Sequence, residues 1–170
     1  MKKIILLFLL VYAKLLSGDV IINEFLASNS SVNASPDYKD YSDWVELYNN
    51  GSSDVSLAGW CLTDNAKYPR KWQFPAGTSI KSKSYLIIWA DGKDKNIHSN
   101  FKLSSSGGFI GITNASGLFA DSLHYEYQRV NISKGRSVDN TSLWLYFSKP
   151  TPNSANTGTT INAMTPKPVF

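Results

Sequence analysis

The segment over residues 40–50 constrains the fold most strongly, because its apolar side chains recur with a period of two. Val45 and Leu47 fall on one side of an extended chain, and Trp44, Glu46 and Tyr48 fall on the other. This alternation predicts a half-buried β-strand. A Gly/Ser/Asp turn at 51–54 and a second strand-like stretch at 57–62 follow, which is the spacing of an antiparallel sheet.

The rest of the chain repeats this rhythm of short strands and turns. No window of helical length shows a 3.6-residue period after residue 18. The run at 84–90 is almost continuously apolar and predicts a central strand buried on both faces. Eight to ten short antiparallel strands predict an all-β sandwich. The predicted strands cover residues 20–27, 44–49, 56–63, 71–74, 84–90, 100–104, 109–113, 118–123, 135–138 and 143–147.

The first 18 residues have the composition of a secretory signal peptide. Lys2 and Lys3 precede an apolar run over residues 4–16, and the small residues Ser17 and Gly18 follow. The run is short for a permanent membrane anchor, and a retained apolar N-terminal helix is the alternative. We therefore expect a secreted or extracytoplasmic protein, at the cell surface or in the periplasm.

Removal of residues 1–18 would also change the charge of the chain. Those residues carry three lysines and no acids, so the net charge would fall from +4 to about +1. The whole-chain charge therefore gives no support for nucleic-acid binding. We expect one domain over residues 19–156 and a flexible Pro/Thr/Asn-rich tail over 157–170. Cys61 is the single cysteine, which excludes an intramolecular disulfide and favours burial between Trp60 and Leu62.

Acidic residues before and within the 44–49 strand form a candidate calcium site. Asp37, Asp40, Asp43 and Glu46 recur every three residues, and Glu24 lies on the strand expected to be nearby. Calcium prefers several carboxylate and carbonyl oxygens, so we name Asp43 and Glu46 first and then Asp40 and Glu24. The spacing does not match an EF-hand, and solvated loop acids are the alternative reading.

Markers of catalysis are weak in this sequence. His98 and His124 have no metal-ligand spacing and are expected at the surface or partly buried, and no Gly-x-Ser-x-Gly is present. The proximity of Asp43 and Glu46 in sequence does not show the separation that a glycosidase needs. We expect no enzymatic activity.

Aromatic residues beside arginines are the best candidates for contacts with a partner. Most tryptophans lie within strand-like segments and are expected in the core. Trp72 follows Arg70 closely, and Tyr125 and Tyr127 precede Arg129. Exposed rings at these positions could stack on a partner, on sugars or on bases.

Seven short motifs together resemble one known family. They occur in order along the chain, at residues 22–29, 43–49, 57–64, 72–77, 86–92, 100–104 and 150–156. With these segments the chain is similar, over residues 20–156, to the lamin tail domain, especially its exported bacterial branch. The resemblance implies an immunoglobulin-like β-sandwich without catalytic activity that serves as an accessory or interaction module.

The sequence therefore leaves two principal functional hypotheses. The first is an exported, non-enzymatic module that binds a protein or a cell-surface component through a strand edge or end loops. The alternative is a calcium-stabilised carbohydrate- or nucleic-acid-binding domain that assists an exported hydrolase. An enzyme in its own right is a minor third hypothesis.

Overall fold

The computed structural model of the chain describes residues 20–138 and 141–161, and these residues form β-strands and loops without a helix. The predicted signal peptide and the end of the predicted tail lie outside the described residues. The strands are β1 (Val20–Leu26), β2 (Trp44–Asn49), β3 (Val55–Ser56), β4 (Cys61–Thr63), β5 (Trp72–Gln73), β6 (Ser79–Ile80), β7 (Tyr85–Trp89), β8 (Gly108–Thr113), β9 (Phe119–Tyr125), β10 (Ser133–Arg136), β11 (Trp144–Phe147) and β12 (Thr160–Ile161).

These strands form two principal sheets and a small third one. The larger sheet has six strands in the order β12-β11-β10-β1-β2-β7, and the smaller has four in the order β5-β4-β8-β9. Strands β3 and β6 form a separate pair. Every pairing between named strands is antiparallel, so the predicted all-β, immunoglobulin-like sandwich is confirmed. The twelve strands exceed the predicted eight to ten because several are only two residues long.

The main core lies between the two principal sheets. Apolar side chains of β1 and β2 meet those of β4 and β8 in one continuous cluster that excludes water. Burial of this area is the main stabilising contribution to such a fold. Its fully buried members include Ile22, Phe25, Val45, Leu47, Leu62, Ile110 and Ile112.

Strand β2 keeps the predicted alternation but is not half-buried. Val45 and Leu47 belong to the main core, whereas Trp44 packs on the other face of the six-stranded sheet, in a second cluster. Val32 and Ile97 cover that cluster from two loops. The outer face of β2 is therefore buried by loops whose path the strand pattern does not encode.

Strand β7 lies at the edge of the six-stranded sheet, so the prediction of a central strand at 84–90 is wrong. A loop takes the place of the missing strand: Trp89 N donates to Ile97 O at 3.0 Å, and Ser99 N donates to Trp89 O at 2.8 Å. The predicted strand at 100–104 is also absent as a strand. Phe101 and Leu103 nevertheless insert into the main core, which accounts for their strand-like pattern.

The predicted boundary between domain and tail falls inside the six-stranded sheet. Thr160 and Ile161 pair with Phe147 and Tyr146 as β12, so residues 157–161 continue the fold. Cys61 is buried, as expected from its apolar neighbours. Among the described residues, no helix is long and apolar enough to span a membrane.

Candidate functional site

A pair of buried glutamates occupies the outer face of the six-stranded sheet. A β-bulge between Ile22 and Glu24 interrupts the alternation of β1, so that Ile22 and Phe25 both enter the main core. The bulge places Glu24 directly opposite Glu46 in the β1–β2 ladder. Both side chains are fully buried.

Each glutamate accepts hydrogen bonds from the segment that follows β11. Thr151 N and Thr151 Oγ1 donate to Glu24 at 3.2 and 3.1 Å, and Ser133 Oγ also donates to Glu24. Glu46 accepts from Asn23 Nδ2 at 2.8 Å and from the backbone N–H of Asn153. Buried carboxylates need such donors because they have left water.

Asn156 completes this arrangement, which we name the carboxylate clasp (Asn23, Glu24, Glu46, Thr151 and Asn156). Its Nδ2 donates to Arg136 O at 2.8 Å and to Asn23 O at 3.1 Å. The clasp ties residues 151–156 to β1 and β2, more than a hundred residues earlier in the chain. The motif at 150–156 is therefore part of the folded domain.

Burial is the largest influence on the pKa values of the two glutamates of the clasp. Desolvation, with a smaller contribution from the nearby charge of Glu24, raises the pKa of Glu46 to about 8 against the lowering effect of its two donors. Burial also raises the pKa of Glu24, while the bonds from Ser133 and Thr151 lower it. Glu46 is thus favoured as a neutral carboxylic acid in the folded clasp near neutral pH.

The structure divides the four predicted calcium ligands between the clasp and a cleft that both Asp40 and Asp43 line. Glu24 and Glu46 are in the clasp, whereas Asp43 accepts from Asn29 N at 2.9 Å, and its pKa is raised to about 6, mainly by burial. Asp40 pairs with Lys93 at 2.7 Å, and this bond lowers its pKa to about 2. Within residues 20–138 and 141–161, no three His, Cys, Asp or Glu side chains form a group that could hold a metal ion.

His98 is fully buried, so its expected surface or partly buried position is wrong. Its Nδ1 lies 2.7 Å from Asp91 Oδ2, and its Nε2 lies 3.5 Å from Asp37 Oδ2. Lys93 bonds the same Asp91 carboxylate at 2.6 Å. This group holds the loop before β2 against the loop after β7.

Two of the five predicted partner-binding residues are buried. Trp72 is only 4% exposed and packs edge-on against Phe74 at 5.0 Å. Tyr125 is 5% exposed, lies 4.8 Å from Phe25, and accepts a hydrogen bond from Ser104 N at 3.2 Å. Both rings belong to the core, which corrects the prediction.

The other three predicted residues remain accessible in two different segments. Arg70 is exposed on the loop between β4 and β5, whereas Arg129 is exposed and Tyr127 half-buried after β9. The structure surrounds Arg70 with residues that the sequence analysis did not select. Its Nη2 donates to Ala115 O at 2.9 Å and so bridges to the turn between β8 and β9.

We name this surface the turn patch (Tyr68, Arg70, Leu118 and Phe119). Tyr68 and Leu118 are 66% and 67% exposed, and Phe119 is 41% exposed. Leu118 and Phe119 directly follow the turn that Arg70 contacts. The sequence feature that could have predicted this surface is the apolar pair Leu118 and Phe119 immediately after a turn that contains Gly117.

Aromatic packing and two grooves extend the turn patch along the four-stranded sheet. The ring of Phe119 packs edge-on against Phe109 at 5.7 Å. A side chain at Gly111 would lie within 3.0 Å of both rings, so glycine is required there. Two open grooves of about 650 and 590 Å³ adjoin at Asn65 and Lys67, which line both.

The comparison with protein families identifies one similarity. The family model described as Lamin Tail Domain matches residues 16–127, which include β1 to β9. No curated protein matches the chain. The clasp residues Thr151 and Asn156 lie beyond the matched segment.

Proposed function

The chain belongs to the lamin tail domain family, a family of non-catalytic immunoglobulin-like domains, and from this premise we propose that it is an exported, non-enzymatic interaction module. The turn patch is its docking surface for a protein or a protein component of a cell surface. The observation that carries this proposal is that the exposed side chains of Tyr68, Leu118 and Phe119 lie on the two segments that Arg70 connects through its bond to Ala115 O.

The composition of the turn patch supports a protein partner. Large apolar groups at the surface cost free energy unless a partner covers them. Tyrosine and arginine are enriched among the residues that dominate the affinity of protein interfaces. Tyr68, Leu118 and Phe119 supply apolar contact area, and Arg70 adds a directional charged group.

The charges beside the turn patch favour an acidic partner segment. Lys71 is already paired with Asp64 at 2.6 Å. Arg70 and Lys67 form no ion pair with a described residue, so their positive charge remains available. A segment that combines Asp or Glu with a large apolar side chain would complement this surface.

The proposal of export rests on residues 1–18. The order of lysines, apolar run and small residues is that of a cleaved secretory signal. Expression of the full chain in a bacterial host, followed by mass spectrometry of the medium and periplasm, tests it. We expect a product cleaved near Gly18, and a cytoplasmic product that retains residues 1–18 would refute export.

A peptide display selection on the purified full chain tests the docking surface. We expect enriched peptides to combine acidic with large apolar residues, and to bind Tyr68→Ser at least about tenfold more weakly, about 1.4 kcal/mol. Tyr41→Ser is the matched control, because Tyr41 is also exposed and lies outside the turn patch. Equal loss in both variants, or enrichment of basic peptides, would overturn the proposed surface.

A titration with duplex DNA distinguishes the proposed protein binding from nucleic-acid binding, which is part of the alternative hypothesis. Nucleic-acid binding through Lys67 and Arg70 would weaken steeply with added salt and would fall when both are changed to Gln. We expect no such salt-dependent binding. Its observation would replace the protein-binding proposal with the nucleic-acid hypothesis.

A further inference from the structure

A second concave surface lies on the outer face of the six-stranded sheet, whereas the turn patch belongs to the four-stranded sheet. It encloses about 240 Å³ between β1, β2, β7 and the segments around Arg136 and Asn156. This volume suits a single small ring better than a drug-sized ligand. Its walls contain aromatic, hydroxyl and amide groups in about equal balance with apolar atoms.

Two tyrosines form the aromatic wall of this pocket. Tyr48 and Tyr85 are opposite each other in the β2–β7 ladder, and their rings stack with centroids 4.7 Å apart. Both are half-buried. Neither hydroxyl is hydrogen-bonded to another described residue, so each can donate to or accept from a ligand.

The one charged side chain that the structure describes in the pocket is already paired within the protein, so the pocket does not need a ligand of opposite charge. Arg136 is the one charged side chain among its described walls. Its Nη2 contacts Asp121 at 2.7 and 2.9 Å, its Nε donates to Ile22 O at 2.8 Å, and its Nη1 donates to Thr141 O. The guanidinium therefore has little capacity left for a carboxylate or phosphate.

Uncharged polar groups around the tyrosines remain available. The Oδ1 of Asn50 accepts from Lys83, and its Nδ2 bonds no described residue, so it can donate to a ligand. The hydroxyls of Ser137 and Thr141 also line the pocket and bond no other described residue. Hydroxyl and amide groups beside aromatic carbon match a ligand that carries several hydroxyls on an apolar ring.

We propose that this pocket binds a neutral sugar residue, with Tyr48 and Tyr85 against its ring and Asn50, Ser137 and Thr141 at its hydroxyls. The arginine orders the wall through Asp121 and Thr141 and does not select for acidic sugars. This site is independent of the turn patch, so the failure of either proposal leaves the other standing.

Saturation-transfer NMR on the full chain tests the site with four neutral probes: glucose, galactose, mannose and N-acetylglucosamine. We expect at least one probe to bind with a Kd in the millimolar range, about −4 kcal/mol, and glucuronate to bind no better than glucose. No signal from any neutral probe at about 50 mM, well above such a Kd, would overturn the proposal. Stronger binding of glucuronate would overturn it as well.

Substitutions inside and outside the pocket then test whether the sugar binds at this site. We expect Asn50→Ala and Tyr85→Ala each to weaken binding of the best probe by about fivefold or more, which is about 1 kcal/mol. Tyr85→Phe keeps the ring stack and should weaken binding less than Tyr85→Ala, and affinities are compared only between variants that unfold at the wild-type urea concentration. Tyr41→Ala, at an exposed tyrosine outside the pocket, should leave the affinity unchanged. Unchanged affinity in Asn50→Ala and Tyr85→Ala would refute the assignment.

Discussion

The buried Glu46 should make the domain less stable as the pH rises through the neutral range. Its pKa is 4.5 in an ordinary setting and about 8 in the folded clasp. The folded chain therefore holds this proton more tightly than the unfolded chain does. The stabilising contribution is complete below pH 4.5 and is lost progressively as the pH approaches 8.

The size of the effect follows from these two pKa values. Between about pH 5 and pH 7.5, proton linkage at Glu46 should lower the free energy of unfolding by about 3 kcal/mol. Asp43, whose pKa is raised from 3.8 to about 6, should add about 1 kcal/mol over the same interval. The bond between Asp40 and Lys93 acts in the opposite direction but only at lower pH, because it lowers the pKa of Asp40 to about 2.

Urea unfolding of the wild-type chain and Glu46→Gln, followed by tryptophan fluorescence at constant ionic strength, measures this linkage. A glutamine resembles the protonated glutamate, so the variant should lose about 3 kcal/mol less than the wild type between about pH 5 and pH 7.5. Asp94→Asn removes one charge at an exposed position and should keep the wild-type slope. Identical slopes for wild type and Glu46→Gln would refute the argument that burial of the ionised clasp is unfavourable.

Three further predictions concern packing, charge and metal. Trp72→Ala should destabilise the domain by about 3–5 kcal/mol in urea unfolding, because it leaves a cavity in the core. Tyr68→Ala, at an exposed position, should change the stability by less than about 0.5 kcal/mol. Equal effects of the two substitutions would contradict the assigned burial. Asp121→Ala should cost about 3–5 kcal/mol because it leaves the half-buried Arg136 without its carboxylate partner, and a neutral result would contradict that role. Calcium at a few millimolar should leave the melting temperature unchanged in calorimetry, because the predicted ligands do not converge; a clear rise would restore the calcium-site hypothesis.

The period of the apolar residues was sufficient to predict the class of fold. The alternation around Val45 and Leu47 assigns the inner face of β2 correctly, because a strand has only two faces. The selection of aromatic residues beside arginines was wrong for Trp72 and Tyr125, which are both buried. Each has an arginine or a turn nearby in sequence, but sequence neighbours do not determine which side chains meet across a sandwich.

The clasp could be predicted only in part. Glu24 and Glu46 were both selected from the sequence, but as calcium ligands. Carboxylates on neighbouring strands are compatible with a calcium site and equally with a buried, hydrogen-bonded pair. The donors that distinguish the two come from Thr151 and Asn156, which contact β1 and β2 through tertiary structure alone. A break in the alternation at Asn23 was the local signal for the bulge that turns Glu24 outward.

The edge position of β7 shows a different limit of sequence reasoning. A continuous apolar run normally marks a strand with neighbours on both sides. Here the segment around Ile97 and His98 covers the free edge, and the buried pair of His98 with Asp91 fixes that segment. Burial was predicted correctly, but the element that provides it was a loop.

The central claim is that the turn patch is a docking surface for a protein partner. The most direct test compares the affinity of a display-selected acidic peptide for a turn-patch variant and for a control variant. The turn-patch double variant Tyr68→Ser/Leu118→Ser should bind the peptide at least about tenfold more weakly than Tyr41→Ser, with both proteins unfolding at the same urea concentration. Indistinguishable affinities of these two folded variants would contradict a docking surface at the turn between β8 and β9.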